Sequence, residues 1–391
     1  MKIIGLVTPT KVKNYGTKLQ AFAMQEIFRE RGFHTEILFF LNRKGFLSKY
    51  KYYIKAIVQK RFCSYFQKRQ YNNYIEENYA DIPLPSIYES LKKRMTSIDS
   101  IDNLYHFKQF IDKRSLKKYT KRYAAVVCGS DQIWHPILNR SEFWTLQLID
   151  DSVRRISYAP SLGVDEMPEE AKTFFKKNLF KFYSISVREI SGVKLLQELT
   201  DNPIKVVLDP TLLVGRKVWD KFKIDKPMLT DRNYCLCYLL GTNANHRKVV
   251  SDIADKLNLS IYNFSHFKKY NDADEQLCGE HLYDISPAEF VGLICRAKFV
   301  VTDSFHCSAF AIMYHIPFIT LLRYEDVDGM STNNRIYSLL EQFGLGSRIY
   351  TKNKKLEDII SSKIDYKTVE DILSQKRNES NAFIDEALSG I

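Results

Sequence analysis

Short apolar strings alternate with helix-length amphipathic stretches along this 391-residue chain, and that alternation limits the folds open to it. Lys2 to Thr8 is apolar, the segment after Gly16 repeats apolar residues at Leu19, Phe22, Ala23 and Ile27, Gly32 closes the pattern, and Ile37 to Phe40 starts the next string. A strand followed by a helix of this length implies a parallel sheet. The pattern resumes at Tyr123 to Cys128, Ser184 to Val187 and Ile204 to Leu208. A second series comprises Tyr234 to Leu240, a helix from Asn245 to Leu257, Ser260 to Phe264, a helix from Pro287 to Cys295, Phe299 to Val301, a helix from Ser304 to Tyr314, and Ile316 to Leu321. The expected architecture is α/β, with two Rossmann-like domains facing across a cleft. Residues 1–215 form the first, with a basic, aromatic-rich helical insertion at about 43–120; residues 216–391 form the second, ending in a charged helical tail.

Composition removes several other classes. With 45% hydrophobic residues and only 26 Gly and Pro together, the chain is neither disordered nor fibrous. The apolar start stops at Pro9, too short for a signal peptide, and no run approaches the roughly 18 apolar residues of a membrane span. A cytoplasmic protein is expected. The seven cysteines are scattered through apolar strings, which suits buried free thiols, and no metal site is expected. The net charge of +12 is concentrated between residues 43 and 69, where nine Lys/Arg are interleaved with seven aromatic residues. No acidic residue occurs from 37 to 75. A peripheral contact with the inner face of a membrane ranks first for this stretch and a solvated face second; no nucleic-acid module accompanies it.

Ligands of such sheets bind where strands end and helices begin. In KFVVTDSFHCSAF an apolar strand runs into Thr302-Asp303-Ser304 and then a helix whose first turn carries His306. A helix start suits an anion; His306 is a proton donor or phosphate partner if it faces the cleft, and a core imidazole if it does not. Ser304 or Asp303 caps that helix. In YAAVVCGSDQIW the strand ends at Gly129, followed by Ser130 and Asp131, a ligand loop or a capped turn. Asn14 and Gly16 lie in the loop joining the first strand to its helix, where phosphate loops occur, although neither a GxGxxG nor a Walker pattern is present. Arg188 suits bidentate recognition of a carboxylate or phosphate, or an internal pair with Glu189. Arg335 opens another helix pattern as a second anion contact or part of a cap.

Taken in order, NYGTKLQAF, GSDQIW, SYAPSLG, SVRE, VVLDPTLL, VVTDSFHCSAFA and IPFI resemble the polysaccharide pyruvyl transferase family over roughly residues 10 to 345. The resemblance implies a GT-B-like fold and transfer of pyruvyl from phosphoenolpyruvate to two hydroxyls of a sugar, with no metal and no further cofactor. The acceptor implied is a sugar of a cell-surface polysaccharide or of its lipid-linked precursor. His306 matches the family's histidine, as acid or phosphate ligand. Ser304 falls where many members carry the Arg of an Arg-x-His pattern, so Arg335 or Arg188 is the expected replacement. Asp131 is the expected base, with Asn14, Gly16, Ser130 and Ser304 around the donor. A GT-B glycosyltransferase using a nucleotide sugar is the alternative reading.

Overall fold

All strand pairs in both sheets run parallel, as the alternation requires. The computed structural model describes residues 2–41, 72–79, 85–226, 233–324 and 331–391. The basic stretch at 43–69, with the membrane contact expected of it, lies outside the described residues. The first sheet contains β1 (Ile3–Val7), β2 (His34–Phe40), β3 (Phe107–Phe110), β4 (Ala125–Cys128), β5 (Arg154–Ser157), β6 (Ser184–Val187) and β7 (Ile204–Val206). The second contains β8 (Tyr234–Tyr238), β9 (Ser260–Asn263), β10 (Glu280–His281), β11 (Phe299–Thr302), β12 (Phe318–Leu321) and β13 (Ile349–Tyr350). Their orders are β3-β2-β1-β4-β5-β6-β7 and β10-β9-β8-β11-β12-β13. In each, connectivity reverses direction beside the first strand, at β1/β4 and at β8/β11. Such switch points leave a crevice outside the carboxyl ends of the strands.

The helices include α1 (Tyr15–Glu30), α2 (Pro85–Asp99), α3 (Pro287–Arg296), α4 (Phe305–Tyr314), α5 (Asn334–Gln342) and α6 (Tyr366–Ala387). The first turn of α1 is inserted into the second domain. The Tyr15 ring stacks on Phe290 at 4.6 Å, and its hydroxyl donates to the Ile285 carbonyl at 2.8 Å. Burial of such an aromatic stabilises the docking by about 1.5–3 kcal/mol. Arg94 of α2, fully buried, also crosses between domains and donates to the carbonyls of His266 and Leu282. From the other side, Asn334 Nδ2 reaches the Val164 carbonyl and the Ser191 hydroxyl.

Two contacts bear on the expected domain bounds. The far end of the 43–120 insertion is part of the first sheet, because Phe107–Phe110 pairs with β2 as its edge strand. The charged tail, assigned by position to the second domain, returns to the first. Ser380 of α6 accepts from the Leu208 amide at 2.9 Å, Arg154 donates to the Ala387 carbonyl, and Arg31 pairs with Asp385.

Candidate active site

The two switch points meet at a cavity of about 430 Å3 lined from both domains. Asn14, Thr17, Asp131 and Gln132 come from the first domain; Lys268, Ser304, Phe305, His306, Arg323 and Arg335 come from the second. Two helices begin at this cavity. Asn14 caps α1, its side chain accepting from the Thr17 amide at 3.3 Å, and Ser304 caps α4, accepting from the Cys307 amide at 3.5 Å. Both helices thus bring the positive end of their dipoles to one place, which favours a bound anion. Asp303 is not the cap: it is held by the Leu240 and Gly241 amides at 2.8 and 2.7 Å and by Arg323.

Gly16 sets the approach of the two helix starts. A methyl group there would lie 2.1 Å from His306 Nδ1, so no larger residue fits without moving the imidazole. The other ring nitrogen, Nε2, lies 3.7 Å from Asp209 Oδ2 and is buried without a hydrogen-bond partner. Asp209 is itself gripped firmly. Arg188 Nη1 and the Ser130 hydroxyl donate to Oδ2, each at 2.9 Å, while the Thr211 amide and hydroxyl donate to Oδ1. Burial would raise this carboxyl, but His306, Arg188 and the Thr211 amide outweigh it and hold it far below the ordinary aspartate value. His306 therefore stands between an ionised carboxylate behind it and the start of α1 in front.

Asp131 lies across the cavity in the left-handed region, at φ 65°. It is held there by a bridge to Pro160 and by Gly129, where a methyl group would meet the Tyr158 carbonyl oxygen at 1.9 Å. Its Oδ2 accepts from the Thr17 hydroxyl at 2.8 Å and its Oδ1 from the Gln132 amide at 2.9 Å. Burial opposes ionisation, but His306, Arg188, Thr17 and Arg335 together hold the carboxyl below its usual value. It is an ionised hydrogen-bond acceptor facing the cavity.

The cations divide into paired and unpaired ones. Arg188 is 3% exposed and bonded to Glu189 at 3.1 Å as well as Asp209, with its guanidinium carbon 4.0 Å from the centre of the Phe305 ring. The cavity in front does not include it. Among the described residues, Arg335 and Lys268 have no carboxylate partner. Arg335 donates to the Thr332 carbonyl and hydroxyl, and burial, with Arg188 and Arg323 nearby, pushes its guanidinium down to about 10. Lys268 is exposed, and partial desolvation of its ammonium, with Arg323 and Arg335 nearby, lowers it to about 8. Crowded positive charge beside two helix starts is an anion site in electrostatic terms.

Of the residues singled out by sequence, Asn14, Asp131, Ser304, His306 and Arg335 line the cavity. Gly16, Ser130 and Arg188 stand behind it: Gly16 as space for the imidazole, Ser130 and Arg188 as supports of Asp209. Lys268, Arg323 and Thr17 were not identifiable as cavity residues. Arg323 follows β12 at its carboxyl edge and carried the same positional signal as Arg188; Lys268 lies in an irregular turn with no periodic mark. Among the described residues, no group of three or more His, Cys, Asp or Glu side chains is arranged to hold a metal ion.

The comparisons with known proteins fit this arrangement. Among solved structures, the UDP-GlcNAc 2-epimerase of Neisseria meningitidis superposes with a TM-score of 0.51 at 13% identity, covering 99% of each chain. The UDP-GlcNAc 2-epimerase of Methanocaldococcus jannaschii gives 0.46 at 14% identity over 97% of this chain and 94% of that one. An alpha-glucosyltransferase in complex with UDP gives 0.44 at 10% identity over 99% and 96%. At such identities the likeness concerns fold, and the fold is GT-B. No curated protein matches the chain in sequence. The sequence pattern of polysaccharide pyruvyl transferases, in contrast, runs through residues 14–325, from the cap of α1 to the strand end that carries Arg323. With that match spanning most of the chain and both walls of the cavity, this protein belongs to the polysaccharide pyruvyl transferase family.

Proposed function

We propose that the chain transfers the pyruvyl group of phosphoenolpyruvate to two hydroxyls of one sugar, forming a cyclic ketal and releasing phosphate. The observation that carries this reading is the meeting of two helix starts, His306, Asp131 and the unpaired Arg335 and Lys268 in one cavity. Phosphoenolpyruvate has two anionic groups, and a site that takes both needs donors and positive charge from more than one direction. Arg335 and Lys268 with the start of α4 serve one group, and the start of α1 with Asn14 serves the other.

The chemistry then needs an acid and a base. His306 donates a proton to the methylene carbon, and the electron deficit forms at the neighbouring carbon that bears the phosphate. One sugar hydroxyl attacks that carbon and gives its proton to Asp131. Phosphate leaves with its bonding electron pair, the second hydroxyl closes the ring on the same carbon and returns its proton to the His306 imidazole, and the proton held by Asp131 passes to the released phosphate. Asp209 and Arg188 touch neither substrate; they fix the imidazole. The acceptor in this reading is a sugar of a cell-surface polysaccharide or of its lipid-linked precursor, and the reaction takes place in the cytoplasm at the inner face of the membrane. Among the described residues no helix is long and apolar enough to cross a membrane.

Calorimetric titration with phosphoenolpyruvate and with UDP-sugars tests the donor. Saturable binding of phosphoenolpyruvate, weakened at least tenfold by Arg335→Lys, is expected. Binding of a UDP-sugar with no response to phosphoenolpyruvate would refute the reading in favour of glycosyl transfer.

A further inference from the structure

Beside the cleft, the first domain contains a second cavity of about 540 Å3, within the range of about 300–1,000 Å3 usual for small-molecule sites. It opens at the carboxyl ends of β1 and β2, the edge where the catalytic cavity also lies. Pro9, Val12 and Trp144 line both spaces, so one wall separates them. A ligand in the cleft that continued past Trp144 would enter this cavity.

Its lining is aromatic, with a charged rim. Phe40, Phe143 and Trp144 form a continuous series of rings with centroids 6.0 and 5.3 Å apart. Trp144 is fixed from below, since its carbonyl accepts from the indole nitrogen of the buried Trp134 at 3.0 Å. Lys113 and Glu142 form an ion pair at 2.6 Å, and the exposed Arg140 also lines the cavity, without an ion-pair partner among the described residues. A fully apolar ligand would strip water from these charges without replacing its hydrogen bonds. A sugar suits both features: its C–H face covers an aromatic ring while its hydroxyls meet donors and acceptors at the edge.

We propose that this cavity is a second saccharide subsite, which holds the sugar next to the one that reacts, so that the enzyme recognises an oligosaccharide rather than a free monosaccharide. The inference deepens the pyruvyl-transfer reading by naming the class of acceptor. Trp144 is the platform and Arg140 the edge contact.

The chain has three tryptophans, and two of them, Trp134 and Trp219, are 1% and 0% exposed. Trp144 is therefore the tryptophan that a sugar can reach, and indole emission reports on the wall between this cavity and the catalytic one. The test titrates the full chain, without phosphoenolpyruvate, with mono-, di- and tetrasaccharides of glucose, galactose and N-acetylmannosamine, and with UDP. Saturable emission change with at least tenfold tighter binding of an oligosaccharide than of its own monosaccharide is expected. By calorimetry, Trp144→Leu should abolish that tenfold advantage and Trp144→Phe should retain most of it, while Arg140→Ala, at a residue that lines this cavity and not the catalytic one, should weaken oligosaccharide binding with phosphoenolpyruvate affinity unchanged. Equal affinity at every chain length, no emission change on saturation, no response to any chain of the panel, or a response to UDP alone would overturn the proposal. A chain-length preference in this donor-free titration, beside no ketal formation when phosphoenolpyruvate is supplied with the same oligosaccharide in a separate turnover assay, would refute the transfer reading and leave the subsite standing.

Discussion

Arg188 and Arg335 sit in the same buried cluster, yet their surroundings differ in kind. Arg188 is neutralised by Glu189 and Asp209, while Arg335, among the described residues, bonds the carbonyl and hydroxyl of Thr332 and no carboxylate. The same contrast separates the wall behind His306 from the face in front of it. Behind lie the paired Arg188, Glu189 and Asp209, which fix geometry; in front lie Arg335 and Lys268, with no carboxylate partner among the described residues, and the ionised acceptor Asp131. A buried arginine is a ligand-binding group only when the protein has not already supplied its counter-ion.

Substitutions on the two sides should therefore fail differently. On the face, His306→Ala should lower kcat by about 10²–10⁴-fold, with the melting temperature little changed; steady-state kinetics beside a thermal melt checks both. On the wall, Arg188→Met leaves Glu189 and Asp209 unpaired and should destabilise the fold by about 3–5 kcal/mol, read as a lower denaturant midpoint. Arg335→Lys should instead keep that midpoint and raise the donor KM about 10- to 100-fold, the value of one or two charge-assisted hydrogen bonds. An unchanged KM would erase the distinction between the two arginines.

Gly16→Ala probes the seam between the two sides, because the added methyl displaces the imidazole. A loss in kcat of about tenfold or more is expected with donor binding retained, and equilibrium titration alongside turnover separates the two. The smallest effect concerns pH. Lys268 is exposed, but partial desolvation of its ammonium and its arginine neighbours lower it to about 8, so its charge is present below that pH and declines above it. Donor KM should rise a few-fold, roughly threefold, as pH passes upward through 8, and Lys268→Arg should shift that limb to higher pH.

The same contrast explains what was readable from sequence. Residues on the face lie immediately after apolar strings, at strand ends and helix starts, so position alone marked Asp131, Ser304, His306 and Arg335. The parallel sheets were legible for the same reason. Pairings across the fold were not. Nothing local connects Arg188 to Asp209, 21 residues away, or His306 to Gly16. The strand Arg154–Ser157 escaped detection because two arginines interrupt its apolar pattern; Arg155 is buried by donating to the Leu146 and Ile149 carbonyls. The return of α6 to the first domain is likewise a matter of tertiary contact, and its charged face carries no address. Trp144 lies in an irregular loop where no period could single it out.

The central claim is that the cleft joins phosphoenolpyruvate to a saccharide. Phosphate release should be measured from phosphoenolpyruvate with a panel of galactosides, glucosides and N-acetylmannosamine derivatives, lipid-linked forms included, followed by mass spectrometry of the acceptor. Acceptor-dependent phosphate release with the mass gain of a pyruvyl ketal, both lost in His306→Ala, is the predicted result. No phosphate release with any acceptor, alongside sugar transfer from a nucleotide sugar, would contradict it.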